Sequence, residues 1–195
     1  MTLSLRQRRR QETARDIQKS TLELAVTHDL DTVTTEEIAT AAGISTRTFF
    51  NYYTNKEAAA VGHPPSFRDE ELEALRSGTG VLATDLKLFL DTHMQTLAGD
   101  EAILRMVGKV LRSNEKARGI LDGFLMSERH ALTDCLNTRA GSRQTAAALA
   151  SYATDAIGRA IFLWEHADNM SLQEALDNVW GGVIDASRLL IEPSR

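Results

Sequence analysis

The chain of 195 residues holds one cysteine, Cys135, which rules out an intramolecular disulfide and fits a reducing, cytoplasmic compartment. Three prolines and 12 glycines, set against abundant Ala, Leu, Glu and Arg, leave an all-α chain as the expected fold class. No run of about 18 apolar residues is present for a membrane span. The N-terminal segment is basic, yet no apolar stretch of about 7 to 15 residues follows it, as a secretory signal requires. The motifs G-x-x-x-x-G-K-[ST], G-x-G-x-x-G and G-x-S-x-G are all missing. The histidines His28, His63, His93, His130 and His166 show no H-x-x-x-H spacing. Neither a metal nor another cofactor is expected, and the chain does not read as an enzyme. Cys135 falls in an apolar-rich helical stretch, the setting of a buried, inert thiol.

What the chain does have is concentrated in Thr34 to Glu57, TTEEIATAAGISTRTFFNYYTNKE. Thr34 and Glu37 stand at capping-box spacing, so a helix over about Thr35 to Ala42 begins there and buries Ile38, Ala39 and Ala42. Gly43 follows where a left-handed terminal residue is wanted. Ser45 is the next N-cap, and Ile44 before it forms a hydrophobic staple with Phe49. Two short helices joined through a glycine read as helix-turn-helix, with the small Ala39 at their close crossing.

The second helix is expected over about Thr46 to Tyr53. On a helical wheel Phe49 and Tyr53 point one way with Tyr52 at their flank. Arg47, Phe50 and Asn51 point the other way, with Thr46 and Thr48 at the margins. A groove-reading helix can set an aromatic ring against thymine methyls or sugars, while Arg47 suits guanine and Asn51 suits adenine. The competing reading packs Phe50 on a neighbouring helix and leaves Arg47 solvated. Asn55 caps a further helix starting at Lys56, an expected phosphate anchor.

The segment from about Arg10 to Gly62 resembles the N-terminal domain of the TetR family of bacterial transcriptional regulators. Ala25, Thr35, Ile38, Ala39, Gly43, Ile44, Ser45, Thr48, Phe49, Tyr52 and Lys56 carry the likeness, over roughly a quarter of the chain. The resemblance implies a recognition role for Thr46, Arg47, Thr48, Phe50, Asn51 and Tyr52, and a phosphate role for Thr35 and Lys56. Many members of that family have tyrosine where this chain has Phe50, and its hydroxyl is a usual phosphate contact.

The net charge of −5 opposes DNA binding until its distribution is considered. Arg6, Arg8, Arg9, Arg10, Arg15 and Lys19 face only Glu12 and Asp16 in the first stretch of sequence. The basic start reads either as a flexible arm reaching phosphates or the minor groove, or as a solvated tail.

A first helix, from about Arg10 to His28, offers Ala14, Ile17, Thr21, Leu24 and Ala25 as the third wall of a DNA-binding domain over 1–62. Residues 63–80, with Pro64, Pro65 and Ser77-Gly78-Thr79-Gly80, read as a mobile or irregular connector that leaves room for one helical turn at Glu70 to Arg76. A helical domain over 81–195 follows. Its last two helices carry more apolar surface than one internal neighbour needs, through Ala153, Ala156, Ile157, Ala160, Val179, Trp180 and Val183. They are expected to form a two-fold homodimer through a four-helix bundle, as the resemblance also implies.

An effector pocket is implied by the resemblance rather than by periodicity. The expected lining is Phe89, His93, Met94, Val107, Leu111, Phe124 and Trp164, although most of these also suit a plain core. The C-terminal domain looks like the branch associated with acyl-CoA-type effectors. Arg105, Lys109 and Arg112 form one basic face, for ligand phosphates or simply for solvent. Two functions stand at this point. One is a homodimeric, ligand-responsive repressor on a palindromic DNA operator, released by a small apolar effector; the other is a constitutive DNA-binding or architectural protein.

Overall fold

The computed structural model describes residues 4–191, Ile191 by its backbone alone. Among the described residues the regular structure is helical, with no strand. The helices are α1 (Leu5–His28), α2 (Thr35–Ala41), α3 (Thr46–Phe50), α4 (Lys56–Val61), α5 (Asp69–Ser77), α6 (Leu82–Leu97), α7 (Glu101–Ser113), α8 (Glu115–Leu136), α9 (Arg143–His166) and α10 (Leu172–Ile191). The chain divides into two compact units. The first takes residues up to Pro64 together with Asp100–Phe124, and the second takes Pro65–Gly99 with residues from Leu125 on.

In the first unit α1 starts earlier than expected. The Ser4 amide donates to Gln7 Oε1 at 2.9 Å and the Gln7 amide to Ser4 Oγ at 3.3 Å, a reciprocal cap that makes Arg6 to Arg10 helical rather than a loose arm. Ala14, Ile17, Thr21, Leu22 and Ala25 are its buried residues. Ala14 and Ile17 pack with Val33, Ile38, Ala39, Phe49, Tyr53 and Ala59. Leu22 and Ala25 pack with Leu30, Ala60, Val61, Val110 and Ala117. The partition at 1–62 is therefore corrected: α7 lies against α1 and α4, and α8 gives its residues as far as Phe124 to this unit.

The expected irregular connector over 63–80 is also corrected, because Asp69–Ser77 is helical. Asp69, Glu70 and Glu71 favour a helix N-terminus, and Leu72 and Leu75, three apart, bury one side. The Arg139 guanidinium fixes the end of α5 and the turn into α6, donating to the carbonyls of Leu75 (2.7 Å) and Gly80 (2.9 Å) and to the Asp85 carboxylate (2.7 Å). Cys135 is buried as expected; its thiol donates to the Leu72 carbonyl at 3.0 Å, and burial pushes its pKa up.

The second unit is built on α9 and α10, which pair extensively and both meet α6. Ala153, Ala156, Ile157 and Ala160 are at most 8% exposed within the single chain. As dimer-face residues they are a correction: small side chains let neighbouring helices approach closely, and these are already covered. The outward side of α9 carries Tyr152, Asp155, Gly158, Arg159 and Phe162 instead. Val179, Trp180 and Val183 on α10 are half-buried.

The expected ligand residues fall in both units. Phe89 and His93 gather around Phe67, with ring centroids 4.8 and 4.9 Å away, and Met94 and Trp164 are buried in the same unit. Val107 and Leu111 pack against the Leu22–Val110 cluster of the first unit, to which Phe124 also belongs. Arg105, Lys109 and Arg112 are exposed on α7. Phe67 went unmarked in the sequence because it sits in the Pro-rich stretch read as a connector.

Burial holds the His93 imidazole below its ordinary value of 6.5, with the Glu71 carboxylate opposing that shift. The fold thus favours the neutral ring. Its contribution to stability is complete above about pH 6.5 and declines as pH falls toward the lowered folded value, since the unfolded chain binds the proton more readily. We expect thermal unfolding to show a melting temperature that falls from about pH 7.5 to about pH 5.5, and His93→Leu to flatten that fall. An unchanged slope in the variant would place the dependence elsewhere.

Candidate nucleic-acid interface

The turn between α2 and α3 is set by backbone chemistry. Ala42 ends α2, and Gly43 takes a φ of +67°. The Gly43 amide donates to the Thr40 carbonyl at 3.1 Å and the Ile44 amide to the Ala39 carbonyl at 2.9 Å, a complete Schellman closure. A side chain at position 43 would have open space, so the requirement is the left-handed backbone alone. At the start of α2, Thr34 Oγ1 accepts from the Glu37 amide at 3.2 Å, and the Thr34 amide donates back to Glu37 at 2.8 Å. The Thr34 amide, together with the Thr34 hydroxyl donating to the same carboxylate at 2.8 Å, holds the Glu37 carboxyl below its ordinary pKa.

Ser45 Oγ caps α3 by accepting from the Thr48 amide at 3.1 Å, and its oxygen lies 2.8 Å from the Thr48 hydroxyl. The Thr48 side chain is thus engaged within its own helix. Ile44 packs against the cluster that contains Phe49, forming the predicted staple. Regular helix stops at Phe50, short of the expected Tyr53. The Asn51 and Tyr52 amides donate to Thr48 and Phe49 in three-residue steps, at 3.0 and 2.9 Å, tightening the last turn. Asn51 is then the C-cap and Tyr52 lies beyond it.

Outward, the arrangement follows the wheel. Phe49 is fully buried, while Phe50 is 54% exposed and touches the Phe49 ring edge-on at 5.3 Å. The alternative in which Phe50 fills a core is thereby removed. Arg47 and Asn51 are exposed; Thr35, Thr46, Thr48 and Tyr52 are half-buried at the margins. A surface of guanidinium, carboxamide, hydroxyls and one free aromatic face offers donors to base edges and phosphates, and apolar contact to a methyl.

Lys56 makes bonds within the fold that its place at a helix start does not announce. Its ammonium donates to the Asp31 carbonyl at 2.8 Å and the Val33 carbonyl at 2.9 Å, gripping the α1–α2 loop. The same loop is held through Asp31 Oδ1, which accepts from Asn114 Nδ2 at 2.8 Å. On the other side of α3, buried Tyr53 donates its hydroxyl to the Ala14 carbonyl at 3.0 Å, and burial pushes the phenol up to about 12. Among the described residues no group of three or more His, Cys, Asp or Glu is placed to hold a metal, and no helix is long and apolar enough to cross a membrane.

Residues 17–58 match the family model described as bacterial regulatory proteins, tetR family. A Clostridium perfringens chain named for fatty acid metabolism regulation shares the fold with a TM-score of 0.61 at 16% identity, over 87% of this chain and 97% of that one. The fatty acid degradation regulator FadR of Bacillus halodurans matches with a TM-score of 0.50 at 18% identity, over 87% and 93% of the two chains. Thermus thermophilus FadR, a TetR-family repressor solved with lauroyl-CoA, matches with a TM-score of 0.50 at 18% identity, over 88% and 93%. Against the sequences of curated proteins nothing matches.

The grip of Lys56 on two carbonyls gives it a structural role in the helix-turn-helix unit. In urea denaturation without DNA, Lys56→Ala is expected to lose about 1 to 3 kcal/mol, the scale of hydrogen bonds from a charged donor. A variant as stable as the parent would show that the grip contributes nothing to the fold.

Proposed function

We propose, from the premise that this chain is a TetR-family transcriptional regulator by its N-terminal segment and its fold, that it is a ligand-responsive repressor acting as a homodimer on a palindromic DNA operator. The observation that carries the reading is the outward set on and just beyond α3: Arg47, Phe50 and Asn51 exposed around a fully buried Phe49. Arg47 reads guanine and Asn51 adenine, Phe50 lies against a thymine methyl or sugar, and Thr35, Thr46, Thr48 and Tyr52 meet the backbone or flanking bases. Lys56 contributes by fixing the loop that leads into α2.

The dimer in this reading uses the outer side of α9 with α10. That side holds Tyr152 and Phe162, 51% and 61% exposed, and a shallow depression of about 380 Å³ lined by Asp155, Gly158, Arg159, Phe162, Leu163 and Val179. Asp155 and Arg159 set opposite charges on one face, which a two-fold axis can pair across an isologous contact. Two readers about one helical turn of DNA apart then match the two halves of a palindrome. The effector is taken to be a small apolar molecule, with acyl-CoAs first among candidates because lauroyl-CoA is bound by the Thermus thermophilus relative. Release requires that it bind the DNA-competent and DNA-incompetent forms unequally.

A second reading, a constitutive DNA-binding or architectural protein, is favoured by one feature. Phe89, Met94 and Trp164, expected to line a pocket, are 4%, 1% and 2% exposed, as in an ordinary close-packed core.

Selection of bound fragments from a genomic DNA pool tests the main reading. Arg47→Ala is expected to relax preference at one operator position and weaken operator binding by about 1 to 3 kcal/mol, with little change on random DNA. Equal losses on both would sink the assignment. The two readings separate on titration with a panel of acyl-CoAs. A repressor shows a saturable rise in melting temperature accompanied by operator release, and a constitutive protein shows neither.

A further inference from the structure

We infer that Arg10 is a positioning residue for the recognition helix, acting through the Asn51 carbonyl and the Tyr52 ring rather than through DNA. The inference rests on the proposed DNA-reading role of α3. The buried stripe of α1 runs through Ala14, Ile17 and Thr21, and Arg10 continues it one turn toward the N-terminus. There the Arg10 guanidinium donates from Nη2 to the Asn51 carbonyl at 3.2 Å, and its Cζ sits 5.0 Å from the centre of the Tyr52 ring. A planar guanidinium can stack on a ring and donate from its edge at once, which an ammonium cannot reproduce.

The place gripped is the weakest of the reader. α3 has five residues, and a helix that short has no stability of its own. Its buried side is fixed by Phe49, and the segment just past its end by the Tyr53 hydroxyl on the Ala14 carbonyl. The residue between, Asn51, is exposed, closes only a three-residue turn, and carries the carboxamide proposed to read adenine. Arg10 holds that residue's own carbonyl, and so sets where its side chain points. A cation there also meets the negative end of the helix. Arg10 and Ala14 are four apart on one face of α1, so the two ties form a single brace from α1 onto the exit of the recognition helix.

Two measurements on the full chain decide this. In the first, duplexes of randomised sequence are enriched by the parent, Arg10→Ala, Arg10→Lys and Asn51→Ala. We expect Arg10→Ala to blur the same base pairs that Asn51→Ala blurs and to leave those set by Arg47 sharp. Arg10→Lys should blur them too, while keeping the salt dependence of the parent. If Arg10→Ala instead enriches the parental motif unblurred, weakens all duplexes alike and lowers the salt slope by about one, Arg10 is a phosphate contact and the inference fails. Full recovery by lysine would reduce the effect to charge at the helix end, and also overturns it.

The second measurement needs no DNA. Amide exchange at Tyr52 and Tyr53, whose amides donate to Phe49, should quicken about three- to tenfold in Arg10→Ala, while Ile44 in the α2–α3 turn stays protected. Unchanged protection at Tyr52 and Tyr53 overturns the inference whatever the DNA result. Failure of the parent to enrich any sequence would defeat the proposed DNA reading, and the exchange measurement would still decide the brace.

Discussion

The placement of α3 depends on the burial of one ring. Phe49 is fully covered by residues of α1, α2 and the segment after α3, and it is the point from which the exposed residues on either side take their directions. A five-residue helix cannot offset the entropy of its own nucleation, so burying Phe49 and Tyr53 must supply the difference, on the order of 2 to 3 kcal/mol for a large side chain. Everything around the ring is arranged to keep that geometry. Ala39 admits the close crossing, Gly43 takes the left-handed turn, Ile44 staples the start, and Ser45 caps it.

The loop entering α2 shows the same logic with polar groups. A non-glycine residue, Asp29, adopts a φ of +69° there, and its carboxylate accepts from the Asp31 amide at 3.2 Å. Lys56 then takes the carbonyls of Asp31 and Val33, and Asn114 takes the Asp31 side chain while its own Oδ1 caps α8 through the Ala117 amide at 2.8 Å. One loop thus receives bonds from the start of α4 and from the α7–α8 junction. Since α7 and the first part of α8 belong to the same compact unit as the helix-turn-helix, that junction and the loop entering α2 are tied by defined hydrogen bonds.

Local signals were legible in the sequence, and environment was not. The caps at Thr34, Ser45 and Asn55, the turn glycine and the staple are fixed by neighbours within five residues, and all appear as read. The outward direction of Arg47, Phe50 and Asn51 was legible for the same reason, because 3.6-residue periodicity needs no partner. The bonds of Lys56 within the fold were not legible because its partners, Asp31 and Val33, are 25 and 23 residues away and are backbone atoms that no side-chain pattern marks. The alanines of α9 were misread because small residues mark close approach without saying whose helix approaches. α5 was legible only as a helical turn at Glu70 to Arg76, because the prolines before it and the glycines after it bracket nine residues with only two apolar anchors.

Two exposed phenylalanines bear on what the surface can meet. Phe50 at 54% exposure and Phe162 at 61% leave ring surface in water, at a cost of about 25 cal/mol for each Å² that a partner would cover. Each ring has one aromatic neighbour: Phe50 meets Phe49 edge-on, and the Phe162 ring lies 4.2 Å from that of His166. They also differ in surroundings. Phe50 stands among a guanidinium, a carboxamide and hydroxyls, and Phe162 borders a depression flanked by Asp155 and Arg159. On the proposed reading the first is covered by DNA and the second by another copy of the chain, and the copy is what turns a five-residue reader with few base contacts into one that recognises two half-sites together.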